Sequence, residues 1–248
     1  MIEKFLSGLD GAFTGEELFD QVSDIVYFIK NCRGEYLVVN QTLVRRCGVN
    51  DKTDIIGKTA TEVLGTCLGN SFVLQDQTLL KTGIPLLSRL ELHHYVDTHT
   101  GWCLTTKFPL RGKDGKVKGL VGISKDLRIP DLQAEEYSHV ADAVRYAEQN
   151  VATPPSVAAL AELAQMSTYQ LNRRMHYVFG LTAGQWLTKL RIDFARQLLV
   201  NTDQSIAAIS LEAGYADQSA FTRQFRHSTG LSPKEFRQIN RDKLGQRV

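Results

Sequence analysis

The pattern of hydrophobic and polar residues differs between the two parts of this chain, and it changes near residue 130. Between residues 20 and 128, short runs rich in β-branched and aromatic residues predict β-strands. These runs are Asp24–Lys30, Glu35–Asn40, Leu86–Tyr95, Trp102–Arg111 and Val117–Lys125. Residues 41–82 predict short helices broken at Gly48, Gly57, Gly65 and Gly69. The predicted order is two strands, small helices and a three-stranded meander with a hairpin at Asp114–Gly115.

The stretch after residue 135 has helical spacing and contains an internal repeat. Ser156–Ala164 returns 49 residues later as Ser205–Ala213. After one added residue the match continues at a spacing of 50, from Gly180–Thr182 to Gly230–Ser232. Each copy predicts an alanine-rich helix, a short turn, a second helix that starts at a capping residue, and a glycine stop, which is a helix-turn-helix. Ala183–Val200 predicts a long helix that holds the two copies apart.

The second helix of each copy has an apolar and a polar face. The apolar stripe consists of Leu171, Met175 and Val178 in the first copy and Phe221 and Phe225 in the second. The opposite face is rich in hydrogen-bond donors: Tyr169, Gln170, Asn172, Arg173 and His176 in the first copy, and Gln218, Ser219, Thr222, Arg223 and Arg226 in the second. Such side chains read base edges and contact phosphates. The alternative is an all-α domain whose helix pairs merely pack, but packing does not require two donor-rich faces at matched positions.

Two segments near the C-terminus carry a family resemblance. Ala213–Arg226, followed by Gly230–Arg237, resembles the signature of AraC-type transcription regulators, and the resemblance extends over about residues 136–240. It implies a DNA-binding domain of seven helices, the first over Glu135–Gln149, whose two recognition helices enter successive major-groove segments about one helical turn (~34 Å) apart. It assigns base contacts to Tyr169, Asn172 and Arg173 in the first copy, and to Gln218, Ser219, Thr222 and Arg223 in the second.

The order of elements in the first half resembles a PAS domain, a curved five-stranded antiparallel sheet with helices over one face. Ile56–Lys58 and Asp114–Asp126 support the resemblance. It implies a domain that senses a small molecule, carries haem or flavin, or dimerises. A haem needs an axial ligand; His93, His94 and His99 are available, but the adjacent His93 and His94 point to opposite faces of a strand, so we do not expect haem. Asn31–Arg33 has the letters of a flavin–cysteine site but lies in a turn between strands, so we expect no flavin.

Two interpretations of the first half stay open. In one, a small organic ligand binds between the sheet and the helices. Ordinary core packing is the simpler explanation of each candidate for the cavity. The candidates predicted from strand alternation are Phe28, Phe72, Leu92, His94, Trp102 and Cys103. In the other, the PAS domain carries no ligand and only dimerises or holds a protein partner, so that the regulator is constitutive.

Composition and charge narrow the class of protein further. The chain has 248 residues, 43% of them hydrophobic and 23% charged, as expected for two folded domains. The net charge is only +2, but residues 163–248 hold twelve Lys/Arg against six Asp/Glu, behind an acidic stretch at 131–162. A basic surface of this kind suits a phosphate backbone. Walker, nucleophile-elbow, zinc-protease and kinase motifs are missing from the sequence, so we expect neither an enzyme with catalytic residues nor a metal site.

The expected organisation has four parts. Residues 1–19 form an N-terminal helical cap or dimerisation segment, 20–128 the PAS sensor, 129–134 a linker restricted by Pro130, and 135–243 the double helix-turn-helix domain. The four cysteines lie in the first half without a C-x-x-C pair, and neither a secretory signal nor a membrane-spanning run is found, which predicts a cytoplasmic protein with reduced thiols. The expected partners are double-stranded promoter DNA, a second copy of the chain through the PAS domain, and RNA polymerase.

Overall fold

The structure is a computed structural model of the chain, and it describes residues 5, 8–10, 13–94, 100–127, 130 and 135–245. The chain divides into two compact units, and the main boundary along the sequence falls between Asp126 and Leu127. Part of the predicted N-terminal segment, His99 and the predicted linker apart from Pro130 lie outside the described residues. Within the described part, no helix combines the length and the apolar character needed to cross a membrane.

Five strands form the antiparallel sheet of the first unit: β1 (Ile25–Asn31), β2 (Tyr36–Val39), β3 (Leu86–His94), β4 (Thr100–Arg111) and β5 (Val117–Asp126). Their spatial order is β2-β1-β5-β4-β3, which places the first strand beside the last. Phe28 of β1 pairs with Gly122 of β5, and Gly122 pairs with Lys107 of β4. A Cβ at Gly122 would lie 2.5 Å from the Phe28 ring, so glycine makes room for that ring at the centre of the sheet. The predicted five-stranded sheet is confirmed.

Helices of the first unit are α1 (Glu16–Asp20), α2 (Gln41–Cys47) and α3 (Ala60–Thr82), with a short 3₁₀ turn at Lys52–Asp54. α2 packs against β1, and α3 packs against β4 and β5. Gly65 has φ 77° and ψ 162° and kinks α3, which confirms the helix break predicted at this residue. The predicted break at Gly69 is wrong, because α3 continues through it. A Cβ there would lie 2.4 Å from the carbonyl oxygen of Ala60, so Gly69 serves close packing against the start of the same helix.

Asn40 joins the N-terminal segment to the sheet. It is fully buried, and its Oδ1 accepts hydrogen bonds from the backbone N–H of Tyr27 (3.0 Å) and Leu43 (3.3 Å). Its Nδ2 donates to the carbonyl oxygens of Phe19 (2.9 Å) and Ile25 (2.8 Å). The rings of Phe19 and Tyr27 also stack, with centroids 4.2 Å apart. One side chain therefore ties α1, β1 and α2 together, and all of its polar atoms are satisfied.

The second unit is helical, with α4 (Glu135–Ser138), α5 (Ala141–Gln149), α6 (Val157–Leu163), α7 (Thr168–Phe179), α8 (Ala183–Asn201), α9 (Ile206–Glu212), α10 (Gln218–Thr229) and α11 (Pro233–Gly245). The first helix was expected to run unbroken over Glu135–Gln149, but it is interrupted at His139 and Val140. Ser138, His139 and Val140 are three weak helix formers in a row. Val140 is fully buried with φ −115°, so a turn accommodates it instead.

The long helix α8 buries two different faces. Ala183, Trp186 and Leu187 are buried in its first half, and Ile192, Ala195 and Leu199 in its second. At about 100° per residue, these two groups lie on nearly opposite sides of the helix. The first half packs on α7, and α9 and α11 also pack on α8. One helix therefore carries both repeats.

Candidate nucleic-acid interface

The two repeats begin with the same local hydrogen bond. Ser156 Oγ accepts from the backbone N–H of Ala159 (3.0 Å) at the start of α6. Ser205 Oγ accepts from the N–H of Ala208 (3.1 Å) at the start of α9. Each serine satisfies a backbone donor that the first turn of a helix leaves unpaired. The sequence repeat is thus a structural repeat at the level of individual bonds.

The second helix of each repeat is also capped. Ser167 and Gln170 form a capping box on α7, in which Ser167 N donates to Gln170 Oε1 (2.9 Å) and Gln170 N donates to Ser167 Oγ (3.2 Å). Asp217 Oδ1 accepts from Ala220 N (2.7 Å) on α10. Gly180 and Gly230 end the two helices with φ 70° and 77°. Both helices therefore begin and end at defined residues, and these ends fix which side chains form the polar face of each helix.

The turns between the helices differ at the residue with positive φ. Gln165 has φ 55° in the first repeat, and Gly214 has φ 74° in the second. A Cβ at Gly214 would lie 2.6 Å from the carbonyl oxygen of Val151 and 2.6 Å from Pro154 Cδ. The second turn is therefore closely packed against the segment before α6, and only glycine fits there.

Arg191 of α8 holds this second turn, a role that the sequence patterns missed. Its Nε donates to the carbonyl oxygen of Ala213 (2.9 Å) and its Nη2 to that of Gly214 (2.6 Å). The guanidinium also lies 3.7 Å from the centroid of the Tyr215 ring. Burial lowers the pKa of Arg191 from its usual value, and the opposing effect of Tyr215 is smaller. Arg191 therefore positions the start of α10 on the α8 scaffold.

The structure exposes most of the predicted DNA-contacting residues. The exposed side chains are Tyr169, Gln170, Arg173 and His176 on α7, and Gln218, Ser219, Arg223 and Arg226 on α10. Asn172 and Thr222, at equivalent positions of the two helices, are half-buried. Asn172 Oδ1 accepts a hydrogen bond from Ala183 N (2.9 Å), so it fastens the start of α8. Arg226 Nη2 lies 3.7 Å from Glu235 Oε2, an exposed pair that contributes little to stability.

Two further residues extend the exposed faces. Tyr177 is 75% exposed, one helical turn beyond Arg173, and His227 is exposed one turn beyond Arg223. They occupy equivalent positions in the repeat, at the spacing of 50. Both residues could have been predicted from the sequence, because each lies four residues after a predicted arginine and so on the same face of its helix. Behind these faces, Leu171, Met175, Phe221 and Phe225 are buried as predicted. Val178, predicted to be buried with them, is only half-buried.

The nominated cavity residues of the first unit do not share one face of the sheet. Trp102 and Cys103 are neighbours on β4, so their side chains point to opposite faces and cannot line one cavity. Cys103 lies on the same face as Lys107 and Phe28, and its Sγ is 3.2 Å from Asp126 Oδ1. Phe28 belongs to the core beneath the helices. Phe72 is half-buried beside that core, and Leu92 and Trp102 are buried. The side chain of His94 lies outside the described residues.

Three charged side chains occupy the core of the first unit. Lys30 Nζ lies 2.6 Å from Asp76 Oδ2, and Lys107 Nζ lies 2.6 Å from Asp76 Oδ1. All three are buried, with side chains 1–3% exposed. Lys107 Nζ also donates to Gln75 Oε1 (3.1 Å). Strand alternation did not reveal these lysines, because a lysine in a strand is read as a surface residue.

Comparison with known proteins agrees with both halves of this structure. A helix-turn-helix domain model matches residues 160–239, and a PAS fold model matches residues 19–129. The HTH-type transcriptional activator RhaS of Escherichia fergusonii is 35% identical over 95 residues, which is 38% of this chain and 34% of RhaS. The HTH-type transcriptional regulator ExsA of Pseudomonas aeruginosa is 43% identical over 61 residues, 25% of this chain and 22% of ExsA. The chain thus spans about a third or less of these curated relatives.

Among solved structures, the DNA-binding domain of the global transcriptional factor AdpA, in complex with a target DNA, is similar to this chain at 29% identity and a TM-score of 0.41. The likeness covers 43% of this chain and 96% of that domain. In this chain, a helix-turn-helix domain therefore follows a PAS fold. The helix-turn-helix domain is of the AraC type.

Proposed function

We propose that the protein is a one-component regulator. Its helix-turn-helix domain binds promoter DNA in a sequence-specific manner, and its PAS domain binds a small molecule that controls promoter binding or activation. The observation that carries the proposal is the pair α7 and α10: each is capped at a defined residue and presents an exposed, donor-rich face at matched positions. α8 joins the two repeats in one rigid scaffold.

The exposed side chains suit specific roles on DNA. Arg173 and Arg223 occupy equivalent, exposed positions, and an arginine donates two hydrogen bonds to the O6 and N7 atoms of guanine. Tyr169, which is 74% exposed, offers a hydroxyl and a ring at the first turn of α7. The helix N-termini and the neighbouring basic residues favour phosphate groups. In this assignment base contacts specify the site, and phosphate contacts hold the domain in register.

The first experiment selects genomic DNA fragments that the full chain binds, and then measures affinity for the selected site by fluorescence anisotropy. Arg173→Ala and Arg223→Ala should each weaken binding by about 1–3 kcal/mol. Arg145→Ala is the matched control, since Arg145 is an exposed arginine of the same unit on α5. Unchanged affinity in both recognition-helix variants would contradict the proposal, as would an equal loss in the control.

We also propose that the chain forms a homodimer through the sheet of the PAS domain. Ile29, Val121 and Phe108 form a row across three strands on the face opposite Phe28 and Lys107. Phe108 is 49% exposed, and Leu37 on β2 is 51% exposed. Light scattering should report a dimer that Phe108→Glu converts to a monomer, whereas Leu74→Glu, at an exposed leucine of α3, should leave it intact. A monomeric unmodified chain would overturn this part.

The proposal involves neither haem, flavin nor metal, and it places the protein in the cytoplasm with RNA polymerase as a further partner at the promoter. His93, one of the histidines available to a haem, packs its ring edge-on to Phe72, with centroids 5.3 Å apart. Cys32, the cysteine of the segment Asn31–Arg33, is exposed in the turn between β1 and β2. An absorption spectrum of the purified chain tests the cofactor expectation, because visible absorbance would reveal haem or flavin.

A further inference from the structure

The amide oxygens on the polar face of α7 are bonded within the protein. Gln170 Oε1 accepts from the backbone N–H of Ser167, and Asn172 Oδ1 accepts from that of Ala183, both at 2.9 Å. A backbone N–H only donates, so the atom that faces it is the amide oxygen and not the nitrogen. The NH2 groups of both side chains make no hydrogen bond within the described residues. Each side chain therefore has its donors, and not its acceptor, available for a ligand.

Arg173 lies between these two amides on the surface of α7. At about 100° per residue, Gln170 and Asn172 lie on either side of it. A guanidinium group has five N–H donors and no acceptor. Three neighbouring side chains of the first recognition helix therefore present donors to DNA. Tyr169 and His176, on the same face, carry groups that both donate and accept.

The two purines differ at one position of the edge that faces the major groove. Guanine presents two acceptors, O6 and N7, whereas adenine presents the acceptor N7 and the donor N6. An amide reads adenine by accepting from N6 and donating to N7 at once, so its oxygen must face the base. In Gln170 and Asn172 the oxygen faces a backbone N–H instead, and turning it toward a base would break that bond. The amides of α7 therefore suit guanine and not adenine.

The second recognition helix starts without a glutamine in its cap. Asp217 Oδ1 accepts from Ala220 N (2.7 Å), and Ala220 stands at the position equivalent to Gln170. Gln218, the first residue of α10, is exposed and makes no hydrogen bond or ion pair within the described part of the chain. Its oxygen and its nitrogen are therefore both available to one base.

A proline removes the other internal bond of the first repeat. Pro233, which begins α11, is equivalent to Ala183 at the spacing of 50, and it has no N–H to donate. Thr222, equivalent to Asn172, thus has no such donor at the start of the next helix, and its hydroxyl makes no hydrogen bond within the described range 135–245. Neither of the two bonds that occupy the amide oxygens of α7 has a counterpart on α10.

We infer that the two recognition helices read different bases, although they occupy equivalent positions in the repeat. α7 reads guanine through donors, and α10 reads an adenine through both amide atoms of Gln218. The inference rests on the proposed sequence-specific binding of DNA and names the base chemistry of each half of the site. The recognised DNA is therefore not a direct repeat of one sequence, even though the protein is a repeat of one unit.

The test starts with selection of binding sites from random duplex DNA by the full chain. Preferences that relax in Arg173→Ala define the segment that α7 reads, and preferences that relax in Arg223→Ala define the segment that α10 reads. The α10 segment should contain an adenine whose preference falls in Gln218→Ala by about fivefold to a hundredfold. Gln149→Ala, at an exposed glutamine on α5, is the matched control and should change no preference.

Replacement of adenine by 2-aminopurine then tests the bond to N6, because 2-aminopurine pairs with thymine and keeps N7 but has no amino group at C6. At the adenine assigned to Gln218, it should weaken binding of the unmodified chain about threefold to tenfold, the loss of one neutral hydrogen bond. It should change nothing for Gln218→Ala. At any adenine of the α7 segment it should leave the affinity unchanged, since the protein itself holds the amide oxygens of α7.

Two results would overturn the inference. One is a selected site whose α7 segment requires the N6 group of an adenine, and the other is a Gln218→Ala variant with unchanged base preferences. A chain that selects no sequence at all would remove the proposed function together with the inference. A chain that selects a site with either of the two contrary patterns would remove only the inference and leave sequence-specific binding intact.

Discussion

Replacing Gly214 by alanine would introduce two separate costs in the second helix-turn-helix. The new Cβ would lie 2.6 Å from the carbonyl oxygen of Val151 and from Pro154 Cδ, neither of which is the end of a flexible side chain. The positive φ of 74° costs a further ~1–2 kcal/mol for any residue with a Cβ. Overpacking adds about 1–3 kcal/mol, and the reduced entropy of the unfolded chain returns about 0.4–1 kcal/mol. We expect a net loss of about 1–4.6 kcal/mol in the unfolding free energy of the second unit.

The matched control is Gly184→Ala, the same chemical change in the same unit. Gly184 lies in the first turn of α8, and a Cβ there would meet no atom within 4 Å. Alanine is the better helix former, so this variant should gain about 0.5–1 kcal/mol. The two substitutions therefore have opposite expected signs.

Urea unfolding followed by tryptophan fluorescence measures both effects. The chain has two tryptophans, Trp102 on β4 and Trp186 on α8. A Trp102→Phe background leaves Trp186 as the reporter of the second unit. A loss below about 1 kcal/mol for Gly214→Ala, or a similar loss for Gly184→Ala, would refute the reasoning from close packing.

Three further predictions follow from other parts of the molecule. Asn40→Ala removes four hydrogen bonds in a buried site and should destabilise the first unit by about 2–4 kcal/mol, measured by urea unfolding in a Trp186→Phe background. For Asp76, burial raises the pKa but Lys107 and Lys30 lower it by more, so the net pKa is below the usual value. Its ion pairs should stabilise the fold above about pH 4 and be lost as the pH falls through the lower native pKa, so that Asp76→Asn shows a smaller acid-induced decline than the unmodified chain. DNA affinity should fall steeply as the salt concentration rises. In a plot of the logarithm of the binding constant against the logarithm of the salt concentration, the slope should be smaller by about 1 in a variant that lacks one phosphate contact. A flat plot would contradict phosphate binding.

Much of the architecture followed from local patterns in the sequence. The strands coincide with runs rich in β-branched and aromatic residues, and turn residues separate several of these runs, so both signals agree. The helix-turn-helix repeat was visible because the same caps and stops recur, and Ser167 and Asp217 form the expected bonds. Local rules succeed where the residues that make a contact are neighbours in sequence.

Contacts between distant residues were beyond these rules. Lys30 and Asp76 are 46 residues apart, and only the folded sheet and α3 bring them together. Asn172 satisfies the pattern of a polar, DNA-facing residue, yet its carbonyl group fastens a helix eleven residues further on. Gly69 has the composition of a helix break, but its role is set by the backbone of Ala60 beside it. Each of these depends on packing that no window of the sequence contains.

The two buried faces of α8 bear on which binding sites a genome can offer this protein. A single residue inserted between Leu187 and Ile192 would turn the later repeat by about 100° relative to the earlier one. On B-form DNA that rotation corresponds to about three base pairs of twist. Small changes of helix length therefore cannot tune the spacing between the two recognised segments by one base pair at a time. Under the proposed function, the promoters that this protein controls should share one spacing, and a promoter that departs from it would have to bend its DNA instead.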